Sequence, residues 1–523
     1  MRILVLILLA LGGLQAQQPA APRRPKLIVA LCIDQFRYDY LVRFRDQYTG
    51  GLSRLSREGA VMSNAYYEHF PTVTAIGHST FMSGATPSVS GIVGNEWFDR
   101  QTGKQVTSVS DASETMLGGA GRSGSGAASP RRMLVSTVGD ELKMAGRDTR
   151  VVGISVKDRS AILPAGHMAD GAYWFDSGSG NFVSSTFYFK ELPSWVQDFN
   201  RTRFVEKFLN LEWTPFSGGG APFKKMAAKA DSAYYTSLES TPYGNDIVLK
   251  FAEAAVVGEG LGKRAGTDVL AVSLSSNDYV GHANGPDSPH VRDISIRTDR
   301  QLAGFFRFLE TQVGMRNVLV VMTADHGVAP VPEVNQQRRM PGGRIPDVVA
   351  QLEAALVAKY GGGRWIVGRS GVSPYLNHEL IAQKNLTVPE VADFLAEAAR
   401  NIPHVFRAYS RYRLVNGQAA GDLIDRRILN GFHYQRSADV LVVCEPYYLF
   451  EARGTSHGMP FGYDAHVPVI FMGPGVKAGQ YHRRVIVNDI APTLATMLDI
   501  EAPSGSMGRV LDEIIATPRI PLK

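Results

Sequence analysis

The sequence predicts an α/β protein: a mostly parallel central sheet sandwiched by helices, with a cap or insertion region built onto it. Two observations predict this. Short unbroken apolar runs alternate along the chain with stretches of helical periodicity, as expected for strands buried on both faces and joined by helices. Chemically active side chains fall just after several of those runs, where ligand sites form in open parallel sheets.

In chain order, residues 26–33 (KLIVALCI) form a buried strand. Thr74 opens an amphipathic helical stretch over residues 75–82, in the usual position of a helix cap. Residues 132–146 form a helix stopped by Gly146, followed by a strand at 150–154. Residues 268–274 form another strand. Leu302, Phe305, Phe306, Leu309 and Val313 then recur at helical spacing. Strands at 317–322 and 467–472 and a final amphipathic helix at 489–500 complete the alternation.

Three stretches interrupt it. Residues 103–130 are rich in Gly, Ser and Ala and form a surface loop. Residues 187–243 carry aromatics and prolines without clear period and form an insertion. Residues 340–448 form an elaborated cap, with a hairpin over 408–424 turning near Asn416-Gly417 and a helix at 388–400. The core with both insertions occupies residues 27–523.

The 523 residues are 44% hydrophobic and 20% charged, enough apolar material for a large core. The net charge of +6 is scattered without a basic run, which argues against nucleic-acid-specific binding. Met1-Arg2, an apolar run to Leu14 and Gln15-Ala16-Gln17 have the form of a secretory signal peptide over residues 1–16, with a Pro/Ala-rich tether at 17–26. The run is too short to span a bilayer comfortably. A periplasmic or secreted protein is expected, without stable membrane insertion once the signal is removed. Cys32 and Cys444 lie in apolar runs and are expected to be buried small hydrophobes; two cysteines do not make a disulfide framework.

Asp34, Asp278, His282, Asp325, His326 and His457 are metal-type ligands in four separated places. Three carboxylates and three imidazoles suit two zinc-like ions, each with an open position; the donor types alone also permit manganese, iron or cobalt in part. Asp278 and His282 share one face of a helical turn. The adjacent Asp325 and His326 diverge, so they can serve different ions or one ion from two sides. The start of a helix at Thr74 favours an alkoxide and a bound phosphate.

These motifs resemble the alkaline phosphatase superfamily, in its branch with type I phosphodiesterases/nucleotide pyrophosphatases. Residues 70–74 (FPTVT) are similar to that branch's nucleophile segment, with Thr74 in the nucleophile position, and Asp34, Asp278, His282, Asp325, His326 and His457 match its zinc ligands in order. Residues 489–494 resemble its late helix. Residues 94–97 (GNEW) and 156–159 (VKDR) resemble the phosphate-irrepressible, threonine-dependent alkaline phosphatases, in which Asn95, Lys157 and Arg159 would hold phosphoryl oxygens.

The resemblance implies two Zn²⁺. One, on Asp34, Asp325 and His326, would bind Thr74. The other, on Asp278, His282 and His457, would stabilise the leaving oxygen of a small phosphate ester and then activate water. His466 is an alternative to His457 as sixth ligand, and His78 is structural or supports the ligands from behind. Monoester hydrolysis through phosphothreonine is expected, with diester or nucleotide pyrophosphate hydrolysis as the alternative and a non-catalytic binding protein as a remote one. Thr74 is not in the Cys/Ser-x-Pro-x-Arg setting that a sulfatase of the superfamily requires.

Overall fold

The apolar runs become the strands of one ten-stranded sheet, described by a computed structural model that covers residues 24–120, 127–345, 347–419 and 421–516. The expected signal peptide and most of the tether lie outside the described residues. The strands are β1 (Leu27–Ile33), β2 (Ala60–Met62), β3 (Met116–Leu117), β4 (Val151–Ser155), β5 (Gly171–Asp176), β6 (Asn181–Ser185), β7 (Asp268–Leu274), β8 (Val318–Thr323), β9 (Val469–Met472) and β10 (Gly479–Tyr481). Their order is β10-β2-β9-β8-β1-β7-β4-β5-β6-β3. The central five, β8 to β5, are parallel; β9 and β6 run against them. Every residue of β1, β7 and β8 is buried. That is why these strands read as unbroken Val/Ile/Leu runs rather than as alternation.

The helices that bear on the site are α1 (Thr74–Ser83), α2 (Val138–Met144), α3 (Asp158–Ala165), α4 (Ser276–Asn284), α5 (Pro289–Gln312) and α6 (Ile490–Leu498). α1 is not amphipathic as expected: all its residues are buried. Its serines meet this by bonding back into the helix, Ser79 Oγ to the Ile76 carbonyl at 2.9 Å and Ser83 Oγ to that of Ser79 at 2.6 Å. Thr74 is its first helical residue and Val73 takes the cap position. α2 begins six residues later than expected, because Thr137 and Asp140 cap it reciprocally: Thr137 N–H donates to Asp140 Oδ2 at 2.8 Å and Asp140 N–H to Thr137 Oγ1 at 3.2 Å.

A second apolar cluster gathers Trp365, Leu395, Val442 and neighbours, apart from the main core that holds the sheet. The helix Val388–Arg400 forms as expected. The hairpin over 408–424 does not. The strand Val405–Ser410 runs into a helix, Arg411–Val415, capped by Ser410 Oγ on Tyr412 N–H at 3.2 Å. It pairs instead with Val440–Cys444, beyond a second helix, Leu423–Gly431. Asn416-Gly417 ends the first helix, with Gly417 at φ +68°.

Residues 103–130 are not all loop: Lys104–Thr107 pairs with Glu96–Asp99, and β3 edges the main sheet. Residues 187–243 hold two helices, Ser194–Arg201 and Ser232–Glu239. Trp195 and Phe199 there pack on Phe251, an irregular aromatic cluster that leaves little periodicity in sequence. Cys32 and Cys444 are buried and unpaired. Among the described residues no helix is long and apolar enough to cross a membrane.

The segment leading into α1 carries His69, fully buried against the Tyr67 ring (4.9 Å between centroids), with no hydrogen-bond partner for either ring nitrogen among the described residues. Burial, and then the Arg427 charge, push its pKa down to about 3. Below the ordinary histidine value the unfolded chain takes up a proton that the folded chain refuses, so stability drains as pH falls through that window. His69→Leu is expected to blunt this loss by about 3 kcal/mol at pH 4, read from urea midpoints of both proteins between neutral and acidic pH. Parallel pH curves would remove His69 as the cause.

Candidate active site

Strand register alone brings distant parts of the sequence to one place. Ile33 lies opposite Leu274 and Cys32 opposite Thr323, so Asp34 comes level with Ser275 on one side and Asp325 on the other. Val272 lies opposite Ile154, which brings Lys157 level with Ser275. Neighbouring strands are about 4.8 Å apart, so all these residues leave the same edge within side-chain reach. From the first and last turns of α4, Asp278 and His282 come back to that edge.

The potential ligands form two groups, Asp34/Asp325/His326 and Asp278/His282/His457, each with its donor atoms within 4.8 Å of one another. The groups adjoin: the His326 and His457 rings stack with centroids 3.4 Å apart. Each histidine donates Nδ1–H to a backbone carbonyl: His326 to Gly327 at 2.9 Å, His282 to Thr455 at 2.8 Å, and His457 to Thr72 at 2.8 Å. A carbonyl only accepts, so the proton is fixed on Nδ1 and the Nε2 lone pair faces inward. His466 is elsewhere, stacked between Tyr38 and Tyr66 with Nε2 on the Ser63 carbonyl at 3.0 Å.

Three carboxylates and one ammonium share this interior. Lys157 Nζ bridges the groups, 2.8 Å from Asp34 Oδ2 and 2.6 Å from Asp278 Oδ2. Burial opposes its charge, but Asp278 and Asp34 outweigh burial and raise its pKa. Burial, then Asp34, raises the Asp325 carboxyl well above the usual range. Burial would raise Asp278 too, yet His282 and Lys157 hold it well below. Asp278 lifts His282 to about 9 against burial, whereas burial and then the two neighbouring imidazoles hold His457 well down. Asp34 Oδ1 and Asp325 Oδ2 are buried without a hydrogen-bond partner among the described residues. Carboxylate oxygens beside inward Nε2 lone pairs, with no hydrogen-bond donor claiming their electron pairs, fit a bound dication.

Thr74 Oγ1 lies 3.4 Å from His326 Nε2 at the start of α1. The helix can come this close because residue 77 is glycine: a Cβ there would sit 2.2 Å from the Asp325 carbonyl oxygen. Asn95 Oδ1 accepts from Ala75 N–H at 2.9 Å, capping α1 and leaving its amide N–H₂ to face outward. Lys157 and Arg159 straddle the start of α3. Arg159 is partly exposed, with Asp158 at 3.9 Å.

Sequence reasoning missed Gln35 and the serines behind His78. Gln35 is buried in the left-handed region at φ 59°. Its N–H donates to Asp325 Oδ1 at 3.0 Å and its Nε2 to Asp278 Oδ1 at 2.6 Å, so one residue holds a carboxylate of each group. Its place beside Asp34 was the only signal. Behind α1, His78 joins the Thr74 carbonyl (2.9 Å) to Ser273 Oγ (2.8 Å), which continues through Ser275 to Ser155. The supporting position expected for His78 is where the structure places it.

Fold and paired groups together are those of the alkaline-phosphatase-like class. Residues 28–463 match the family model described as type I phosphodiesterase / nucleotide pyrophosphatase, and the chain belongs to that family. It is 36% identical to alkaline phosphatase PafA of Elizabethkingia meningoseptica, covering 97% of this chain and 98% of that one. It is 37% identical to alkaline phosphatase PhoV of Synechococcus elongatus, covering 95% and 94%. The crystal structure of wild-type PafA superposes with a TM-score of 0.87 at 35% identity, covering 95% of this chain and all of that one.

Gln35→Leu is expected to loosen metal binding, with bound metal lost at about ten- to hundredfold lower chelator concentration than in the unaltered protein, measured by elemental analysis after dialysis. Identical metal retention would show that the Gln35 bonds do not position the carboxylates.

Proposed function

We propose that the protein is an exported, metal-dependent alkaline phosphatase that hydrolyses small phosphate monoesters through a phosphothreonine at Thr74. The observation that carries this reading is a hydroxyl at a helix start, 3.4 Å from an imidazole of one Asp/His group, with the second group stacked against it. The relatives named alkaline phosphatase, aligned over nearly the whole chain, support it. Export rests on the signal-like residues 1–16.

Asp34, Asp325 and His326 would hold one ion and Asp278, His282 and His457 another, and mixed carboxylate–imidazole sets favour zinc. When bound, the pair supplies positive charge that favours the Thr74 alkoxide and the departing oxygen. Thr74 Oγ attacks phosphorus in line as the ester P–O bond breaks and the alcohol leaves; water then cleaves the Thr74 Oγ–P bond, releasing inorganic phosphate and restoring the hydroxyl. With Ala75 N–H already donated to Asn95 Oδ1, the amide N–H₂ of Asn95 would face the phosphoryl oxygens at the start of α1.

Arg159 adds a fixed charge. A dianionic monoester carries more charge on its non-bridging oxygens than a diester, so this contact favours monoesters. Lys157 has a double duty, because its ammonium also neutralises Asp34 and Asp278. The second reading, a phosphodiesterase or nucleotide pyrophosphatase, is favoured by the description of the family model itself. A non-catalytic binder would have no need of both complete Asp/His groups.

Thr74→Ala is expected to reduce phenyl phosphate turnover by more than about a thousandfold and to abolish phosphoenzyme trapped by acid quench. Unchanged turnover would eliminate the nucleophile assignment. Arg159→Ala separates the two substrate readings more cleanly than Lys157→Ala, which also unbalances the carboxylates. Its kcat/KM is expected to fall about a hundredfold for phenyl phosphate and far less for methyl phenyl phosphate. Equal losses would favour the diesterase.

A further inference from the structure

A cleft of about 480 Å³ opens beside the paired groups, walled away from them by residues from 370–375 and 431–451. At the site it is lined by His282 and His457, with Asn95 and Arg159, whereas Thr74, Asp34, Asp325 and His326 do not line it. In an in-line displacement the departing oxygen lies opposite the attacking one. The cleft therefore faces the group that leaves rather than the nucleophile. The accessible member of the Asp278 group points the same way: the His282 side chain is 37% exposed, while Asp34, Asp325 and His326 are wholly buried.

Much of the wall is apolar, with Phe70, Val93, Val372, Leu441, Phe450 and Met459. Its charged lining residues besides the histidines are Glu96, Asp158 and Glu451 against Arg159 alone. Glu96 is exposed, whereas Glu451 Oε2 is buried without a hydrogen-bond partner among the described residues. With Arg159 engaged by the phosphoryl group, the carboxylates stand unopposed toward anything deeper in the cleft, and a second anion there would meet like charge in a partly desolvated space.

We infer that this cleft is a leaving-group subsite, which takes apolar alkyl or aryl ester groups and rejects ester groups that carry a further negative charge. The inference rests on the monoesterase reading. It makes the physiological substrate a monoester of an apolar alcohol or phenol rather than a sugar bisphosphate or a nucleoside polyphosphate.

Phosphonates test this without the confounding reactivity of different leaving groups. With the zinc-loaded protein hydrolysing phenyl phosphate, competitive inhibition is compared for inorganic phosphate, methylphosphonate, hexylphosphonate and a hexylphosphonate analogue ending in a carboxylate. Hexylphosphonate is expected to bind at least about tenfold more tightly than methylphosphonate, and the terminal carboxylate is expected to cancel that gain. Phe450→Ala should shrink the methyl-to-hexyl ratio about threefold while inorganic phosphate still inhibits. Glu96→Gln with Glu451→Gln should recover affinity for the carboxylate-ended analogue. Equal inhibition by methyl- and hexylphosphonate, in a protein that phosphate does inhibit, overturns the subsite and leaves the monoesterase reading standing. Absence of both phenyl phosphate hydrolysis and phosphate inhibition overturns the reading beneath it.

Discussion

Three aspartates gathered at one buried sheet edge are the constraint around which the rest of this molecule is arranged. Asp34, Asp278 and Asp325 sit within reach of one another, with a single ammonium, Lys157, among them. Such a collection of charge is unfavourable in a low-dielectric interior unless it is compensated. One carboxyl resists ionisation (Asp325), two are held ionised by cations, and two oxygens remain without a partner. A sheet held only by its Val, Ile and Leu would be simpler with apolar residues at these positions. The retained negative charge makes sense as a receptor for cations.

The surroundings spend their hydrogen bonds on keeping this geometry fixed. Backbone carbonyls orient the three histidines, and each carbonyl belongs to a segment that must itself be placed. Thr72 Oγ1 donates to the Met459 carbonyl at 2.9 Å, tying the segment before α1 to the loop that bears His457. Asp464 accepts from the N–H groups of Gly458 and Met459 at 2.9 and 2.8 Å and fixes that loop from the other end. The loop also crosses α4 closely: at Gly454, φ +63°, a Cβ would lie 2.2 Å from the His282 carbonyl oxygen. His282 and His457, which share a ligand group, are thereby packed as one piece. Rigidity of this kind lets a site hold donors in place before the ion or substrate arrives.

What was legible in the sequence follows from what local pattern encodes. β1 and β7 could be placed to within a residue, because a strand buried on both faces is a continuous apolar run. Asp34, Asp278 and Asp325-His326 could be brought together because sheets of this kind expose strand ends on one edge, whereas His457, in a loop, joined them only through the family resemblance. Contacts between non-neighbours were not legible. The hairpin at 408–424 was misread because Ser410 starts a helix where Asn416-Gly417 invites a turn, and the strand's true partner lies thirty residues on. α1 looked amphipathic because its hydroxyls count as polar, although its serines bond back into the helix and Thr80 to the Ala85 carbonyl just beyond it. Gln35 escaped notice since nothing in a glutamine after an aspartate announces a left-handed backbone whose side chain reaches another helix.

The two candidate ligand groups are unequal in a way that, on the proposed function, assigns direction to the chemistry. The Asp34 group is sealed under α1, touches Thr74, and has no exposed member. The Asp278 group shows His282 to solvent and borders the cleft. A nucleophile benefits from the sealed side, where water cannot compete with Thr74 and the fields of fixed groups are strong. A departing alcohol and an incoming water need the open side. The apolar far wall of that side comes from the second core cluster rather than from the sheet. On the proposed function, the sheet edge would set which bond is attacked, and the region packed above it which alcohols are released.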